Sequence, residues 1–330
     1  PVLHHVAGDG NLASEIGRRV VLEHREIVTG IPTDWKELTH SVSTSRKRRV
    51  RIKRNRWKDF VYGTRLGLLP FTHKPTMPMG SGKRDDLRQF QIKRVLSEEE
   101  TELIGKASRS RRVAFVDLVT ACSNIAVDRW NDQRSISPGL VTTAMTVNMT
   151  GRYGNVDTVN RGSVIFFESK PEERQDLREF ARKMSLARIK QLRRQMDLKL
   201  YENMEKGTAA LRALPFEVRS RIMSRIMQKH KFSIAVTFLG TVWPVVKRGK
   251  PTGESFPTEA GEIEHSEIHG IGYKQHSGTQ LVLIIYSFRN KMNFMLSASA
   301  SLFTREEAEA FMDVFMEILM DSIELPPDAD

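Results

Sequence analysis

Residues 4 to 10 read HHVAGDG: His4, His5, Val6, Ala7, Gly8, Asp9, Gly10. Neighbouring side chains in an extended segment point to opposite sides, so only one of the two histidines can address a given cleft. A neutral imidazole takes up a proton near pH 7, and a nearby carboxylate can support the loop that holds it. Before the motif stands the apolar Pro1-Val2-Leu3, which reads as the end of a strand. After it, NLASEIGRRVVLEHREIV sets Leu12, Ile16, Val20 and Ile27 near helical spacing, with Asn11 placed to cap the first turn. A strand end, a histidine loop and a helix in immediate succession are expected.

The 330 residues are 39% hydrophobic, enough for two cores or one large one. No window approaches the roughly 20 uninterrupted apolar residues of a spanning helix. One cysteine, Cys122 in VDLVTACSNIAV, leaves no intrachain disulfide and no thiolate metal cluster, and fits a reducing cytoplasm. Its apolar surroundings suit a buried structural thiol rather than a nucleophile. The formal charge is +12, from 52 Lys and Arg against 40 Asp and Glu. Residues 46 to 58, RKRRVRIKRNRWK, hold nine of the cations and no acid, so without them the total falls to +3. The excess is thus read as one segment. Only Trp57 and Phe60 lie near it, no stacking or groove-reading module is legible, and nucleic acid is not an expected partner.

Residues 31 to 86 carry Pro32, Pro70, Pro75, Pro78, Gly80 and Gly82 around the basic run, without a sustained period, and read as a linker. From Leu87 the pattern is α/β. LRQFQIKRVL alternates like a strand, SEEETELIGKAS opens with Ser97 and Glu100 in capping-box spacing, and RVAFVDLVTACSNIAVDRW reads as an apolar helix. TAMTVNM and GSVIFFES follow as strands, and PEERQDLREFARKMSLARIKQLRRQ as a long helix with Pro171 in its first turn. PFEVRSRIMSRIMQK is a further helix and FSIAVTFLG a strand. QLVLIIYSF and KMNFMLSAS form a hairpin, and TREEAEAFMDVFMEILMD is a closing helix capped by Thr304 with Glu307.

On HHVAGDG, the sequence resembles the CoA-dependent acyltransferase superfamily, which includes chloramphenicol acetyltransferases, peptide-synthetase condensation domains, alcohol acetyltransferases and bacterial wax ester synthase/diacylglycerol acyltransferases. Three further segments agree in order. LSEEETELIGKASRSRRVAFVDLVTACSNIAV resembles the helix pair that opens the family's second subdomain, with Asp117 in the place of the Asp of an Asn-Asp pair and Val116 replacing the Asn. MTVNMTGRYGNVD resembles the family's strand, Arg and Gly-Asn element, giving Arg152, Gly154 and Asn155. VTFLGTV, residues 236 to 242, resembles a Val-Ser-Asn-Leu-Gly segment, with Thr237 in the Ser place, Phe238 in the Asn place, and Gly240.

The resemblance implies an α/β chloramphenicol acetyltransferase-like fold, a mixed sheet with flanking helices. It would be truncated at its start, because the family carries a whole subdomain before the histidine motif and only Pro1 to Leu3 precede it here. Residues 1 to 30 would close the first subdomain, 31 to 86 link, and 87 to 325 form the second. His5 becomes the general base, beside His4. Asp9 becomes a supporting carboxylate, and Gly10 a residue kept small beside the pantetheine arm. Thr237 becomes a candidate oxyanion donor, His4, Gly10, Gly240 and Asn155 become further substrate or oxyanion residues, and Asp117 and Arg152 structural support.

The implied reaction is transfer of an acyl group from acyl-CoA to an alcohol or lipid hydroxyl, with no metal and no bound cofactor. Condensation between carrier-protein-bound substrates, with an acyl-pantetheine carrier as donor, is the alternative, and so is a non-catalytic binding protein of the same fold. A cytoplasmic chain is expected, and the run at 46 to 58 would suit peripheral contact with an anionic membrane surface. His265 and His269, four apart near Glu262, Glu264, Glu267 and His276, would make a metal site only if helical, and Gly270 and Gly272 argue against a helix.

Overall fold

A computed structural model describes residues 19–20, 22–24, 26–28, 30, 32, 74–83, 86, 88–148, 162–229, 232–242, 244–247, 250–255, 259–260, 263–264 and 280–324. In chain order these give β1 (Gln89–Val95), α1 (Glu98–Ser110), α2 (Phe115–Asp132), β2 (Val141–Asn148) and β3 (Gly162–Ser169). A 3-10 turn, Pro171–Arg174, precedes α3 (Leu177–Arg193), α4 (Met196–Arg212), α5 (Phe216–Lys229) and β4 (Ile234–Thr241). Two small hairpins follow, β5 (Pro244–Lys247) with β6 (Lys250–Ser255) and β7 (Glu259–Ala260) with β8 (Ile263–Glu264). The described chain closes with β9 (Leu281–Phe288), β10 (Lys291–Ser299) and α6 (Arg305–Glu324).

The main sheet has six strands in the order β1-β10-β9-β4-β2-β3. β4 runs parallel to both its neighbours, β2 and β9, and the other pairs are antiparallel, so the sheet is mixed. β9 explains its own unbroken apolar run. Leu281, Leu283 and Ile285 enter the core cluster that also holds the helices, while Val282, Ile284 and Tyr286 enter a second cluster on the other face. A strand buried on both faces has no reason to alternate. The β9–β10 turn is Arg289 and Asn290, both at positive φ (49° and 60°), the pairing that a two-residue hairpin with matched twist requires.

One face is covered by α1, α2, α3 and α6. Trp130 of α2 meets Phe303 and Phe311 edge-on, with ring centroids 5.3 and 5.6 Å away. Cys122 is fully buried in this layer, and burial pushes its thiol up to about 12, so it stays protonated and unreactive at neutral pH. Ser97 and Glu100 form the capping box of α1, as their spacing predicts. Thr304 and Glu307 do the same at the start of α6.

The long helix expected over residues 171 to 195 is a 3-10 turn followed by one helix. Pro171 opens the 3-10 turn instead, and Asp176 caps a fresh start by accepting from the backbone N–H of Arg178 and Glu179. A second break falls at Gln195, whose left-handed φ of 55° ends the run before α4. The small hairpins β5–β6 and β7–β8 have no counterpart in the sequence pattern.

The end of the expected linker is firmly held. Lys74 to Lys83 cross the carboxyl end of α2 and the amino end of α6 as an extended strap. Thr76 N–H donates to the Leu140 carbonyl, Met79 N–H to Asn131 Oδ1, and Gly82 N–H to the Leu302 carbonyl. Asn131 and Trp130 donate in return to the Met77 and Met79 carbonyls. The Glu307 carboxylate, already capping α6, also accepts from the Ser81 N–H and hydroxyl.

Two predictions concern the strap. A Cβ on Gly80 would fall on the Leu302 carbonyl and the Phe303 ring, so Gly80→Ala should cost about 3 kcal/mol of unfolding free energy in urea titration. Burial works to raise the Glu307 carboxyl, but the N–H groups of Ser81 and Thr304 outweigh it and hold its pKa below the ordinary value. Its contribution is therefore complete above the ordinary carboxylate pKa and fades as pH falls through the lowered one. Glu307→Gln should be less stable by about 1 kcal/mol at pH 7, and the gap in melting temperature should close on acidification.

Candidate functional site

Brought together by the sheet, Thr237 and Gly240 lie on β4, the strand flanked by parallel neighbours. Carboxyl ends of parallel strands are where α/β sheets place ligands. Thr237 pairs with Ile284 and, by alternation from Ala235, shares the face of the second apolar cluster; it is half-buried. The register shifts between Phe238 and Thr241, and Gly240 sits in that bulge with φ +74° and nothing within 4 Å of where a Cβ would be. Backbone conformation, not space, demands glycine there. The bulge turns the end of β4 immediately after the Thr237 hydroxyl.

Phe238 points to the helical face and stays 37% exposed, tilted against Phe115 at 5.8 Å. Phe115 is the first residue of α2 and also meets Phe294 of β10 at 6.4 Å. These contacts set the amino end of α2 against the end of β4. One turn into α2, the fully buried Asp117 receives two hydrogen bonds from Arg188 of α3, at 2.6 and 2.9 Å. Asp117 is thus committed to the α2–α3 contact.

A second buried polar group lies further along α2. Asn124 accepts from the Thr143 hydroxyl of β2 and donates to Ser169 Oγ of β3 at 3.4 Å. Arg174, 4% exposed, donates to Asp128 at 2.6 and 2.9 Å, to the Gly139 carbonyl at 2.6 Å, and to the carbonyl and hydroxyl of Ser169. Neither Arg188 nor Arg174 stands out in the sequence. The available signal is on α2, where Asn124, Asp128 and Asn131 recur at helical spacing inside an apolar segment and so need buried partners.

His4, His5, Asp9 and Gly10, with Arg152 and Asn155, lie outside the described residues, as do the basic run at 46 to 58 and His265, His269 and His276. Among the described residues no cluster of His, Cys, Asp and Glu could hold a metal ion, and no helix is long and apolar enough to cross a membrane.

No family model matches the chain, and no curated protein matches it. Solved structures do. The first condensation domain of the CDA synthetase superposes with a TM-score of 0.58 at 16% identity, covering 99% of this chain and 64% of that one. The chain has the condensation-domain fold. The epimerization domain from the third module of tyrocidine synthetase B gives 0.55 at 14% identity, over 98% of this chain and 68% of that one. The cyclization-docking bidomain of EpoB from Sorangium cellulosum gives 0.53 at 12%, over 83% and 50%. This chain therefore spans about two thirds of the length of the first two condensation-fold domains. In the condensation fold as it stands here, β4 is the central strand and α2 the helix that backs it.

The Asp117–Arg188 ion pair can be tested by itself. Arg188→Met leaves the Asp117 carboxylate buried without its cation and should cost about 3 kcal/mol. The Asp117→Leu, Arg188→Met double variant should regain most of that in chemical denaturation.

Proposed function

We propose that this chain belongs to an enzyme that moves an acyl group from a pantetheine thioester, held on a carrier protein, to an amine or hydroxyl, with His5 as general base. The observation that carries the reading is the HHVAGDG motif at residues 4 to 10 in a chain with the condensation-domain fold. That the similar structures are peptide-synthetase domains favours a carrier-held donor over free acyl-CoA.

In this mechanism the acceptor N–H or O–H gives its proton to the His5 imidazole as the heteroatom attacks the thioester carbonyl. The tetrahedral oxyanion accepts a hydrogen bond from the Thr237 hydroxyl. On collapse the C–S bond breaks and the proton passes from His5 to the departing sulfur, so the base is regenerated and no acyl-enzyme forms. Asp9 supports the histidine loop, and Gly10 leaves room for the pantetheine arm. Free acyl-CoA with an alcohol or lipid hydroxyl as acceptor is a second reading. It draws on Asp117, which stands where the wax ester synthases carry the Asp of an Asn-Asp pair, although Val116 replaces the Asn; VTFLGTV resembles alcohol acetyltransferases and condensation-like proteins alike.

Thiol release, followed with acyl-carrier and acyl-CoA donors and a panel of amine and alcohol acceptors, tests the proposal. Acceptor-dependent release should fall by about 10² or more in His5→Ala. Because the base acts in its neutral form, kcat/KM should rise with pH and fall away on acidification as the imidazole takes up a proton. Equal rates in both proteins would remove His5 from the mechanism.

A further inference from the structure

The positive excess is not confined to residues 46 to 58, as the sequence arithmetic suggests. Between Leu177 and Lys229, 14 Lys or Arg stand against five Asp or Glu, so α3 to α5 carry a second net +9. The formal +12 therefore comprises two basic tracts of +9 each and a remainder of −6.

Within the second tract, α5 and the turn before it combine that charge with exposed apolar side chains. Leu214, Phe216 and Val218 are 38%, 67% and 42% exposed. The Arg219 guanidinium lies over the Phe216 ring, 5.5 Å from its centroid. Arg221 and Arg225 are exposed one turn apart, and Lys229 continues the same spacing. At about 100° per residue, Phe216 falls on one side of α5 with Arg219 leaning over its ring, and Arg221 and Arg225 fall together on the opposite side. An acidic protein would be attracted by the charge alone. It would give no reason for Leu214 and Phe216, either side of Pro215, to stand in water. Exposed aromatic and aliphatic side chains at the start of a helix that also carries exposed arginines, with low overall hydrophobicity, fit a segment lying in a bilayer interface.

We propose that Leu214 to Lys229 lies in the headgroup region of a bilayer containing anionic phospholipid, with Leu214 and Phe216 inserted and Arg219, Arg221 and Arg225 at the level of the phosphates. This binding is independent of the acyl-transfer reading and of the run at 46 to 58.

Co-sedimentation of the full chain with vesicles tests it. The protein should bind phosphatidylcholine mixed with phosphatidylglycerol, bind phosphatidylcholine alone weakly, and lose affinity as salt rises. Replacing Arg219, Arg221 and Arg225 together by Gln should weaken binding on the order of a hundredfold, about fivefold for each cation near the surface. Leu214→Ser combined with Phe216→Ser should weaken it by about tenfold or more. Leu214, Phe216, Arg221 and Arg225 are exposed, and half-buried Arg219 leans on the exposed Phe216 ring, so nearly unchanged melting temperatures are expected and serve as the control for folding. No binding to the mixed vesicles would overturn the proposal, as would binding lost only when residues 46 to 58 are neutralised. Sensitivity to the arginines with indifference to Leu214 and Phe216 would also overturn it, and would point to an acidic protein instead.

Discussion

A helix enclosed by other elements must bring partners for every polar side chain it buries, because an unpaired one costs about as much as a hydrogen bond contributes, or more. α2 is such a helix. Asp117 is met by Arg188 of α3, Asn124 by Thr143 and Ser169 of two strands, Asp128 by Arg174 of the 3-10 turn, and Asn131 by the backbone of the strap. Each partner comes from a different part of the chain. The requirement therefore does more than stabilise α2, since it fixes where α3, the β2–β3 pair and Lys74 to Lys83 must lie around it. Removing a single partner leaves a buried donor or acceptor, so the arrangement tolerates replacement of whole pairs better than of halves.

The placement of β4 follows from the same requirement. Phe115 at the head of α2 packs on Phe238, and the β2 strand that Asn124 holds is one of the two parallel neighbours of β4. The end of β4 is thereby set, with the Thr237 hydroxyl on one face, Phe238 on the other and the turn at Gly240 after them. A hydroxyl half-buried on an apolar face has few competing water partners. In the proposed mechanism, that is the setting in which a single hydrogen bond to a developing oxyanion counts most.

Much of this architecture was legible in the sequence. Both capping boxes, the β9–β10 hairpin and the apolar character of α2 appear as spacing alone, because each depends on residues close in the chain. What was not legible depends on distant ones. Pro171 suggests a helix start, yet Arg174 is drawn inward to Asp128, and Asp176 provides a better cap a few residues later. The Pro- and Gly-bearing segment before residue 84 reads as linker, since nothing local reveals that Gly80 and Gly82 are small in order to lie against Leu302 and Ala300. The second basic tract was hidden for another reason: its cations are spread over three helices rather than gathered in a run. For the site, Thr237 and Gly240 were named by resemblance and lie on one strand, while the histidine motif lies outside the described residues.

The account rests on a thioester donor and a proton-accepting histidine working within a condensation fold. Single-turnover mixing of the protein with an acylated carrier protein and an acceptor amine or alcohol, with the carrier mass followed by mass spectrometry, addresses that claim most directly. The account predicts loss of the acyl mass from the pantetheine arm, appearance of an equal amount of acylated acceptor, no mass increase on the protein itself, and slower transfer from the matching acyl-CoA. An acyl group found on the protein would contradict direct transfer. A carrier that keeps its acyl group with every acceptor would contradict the carrier-held donor.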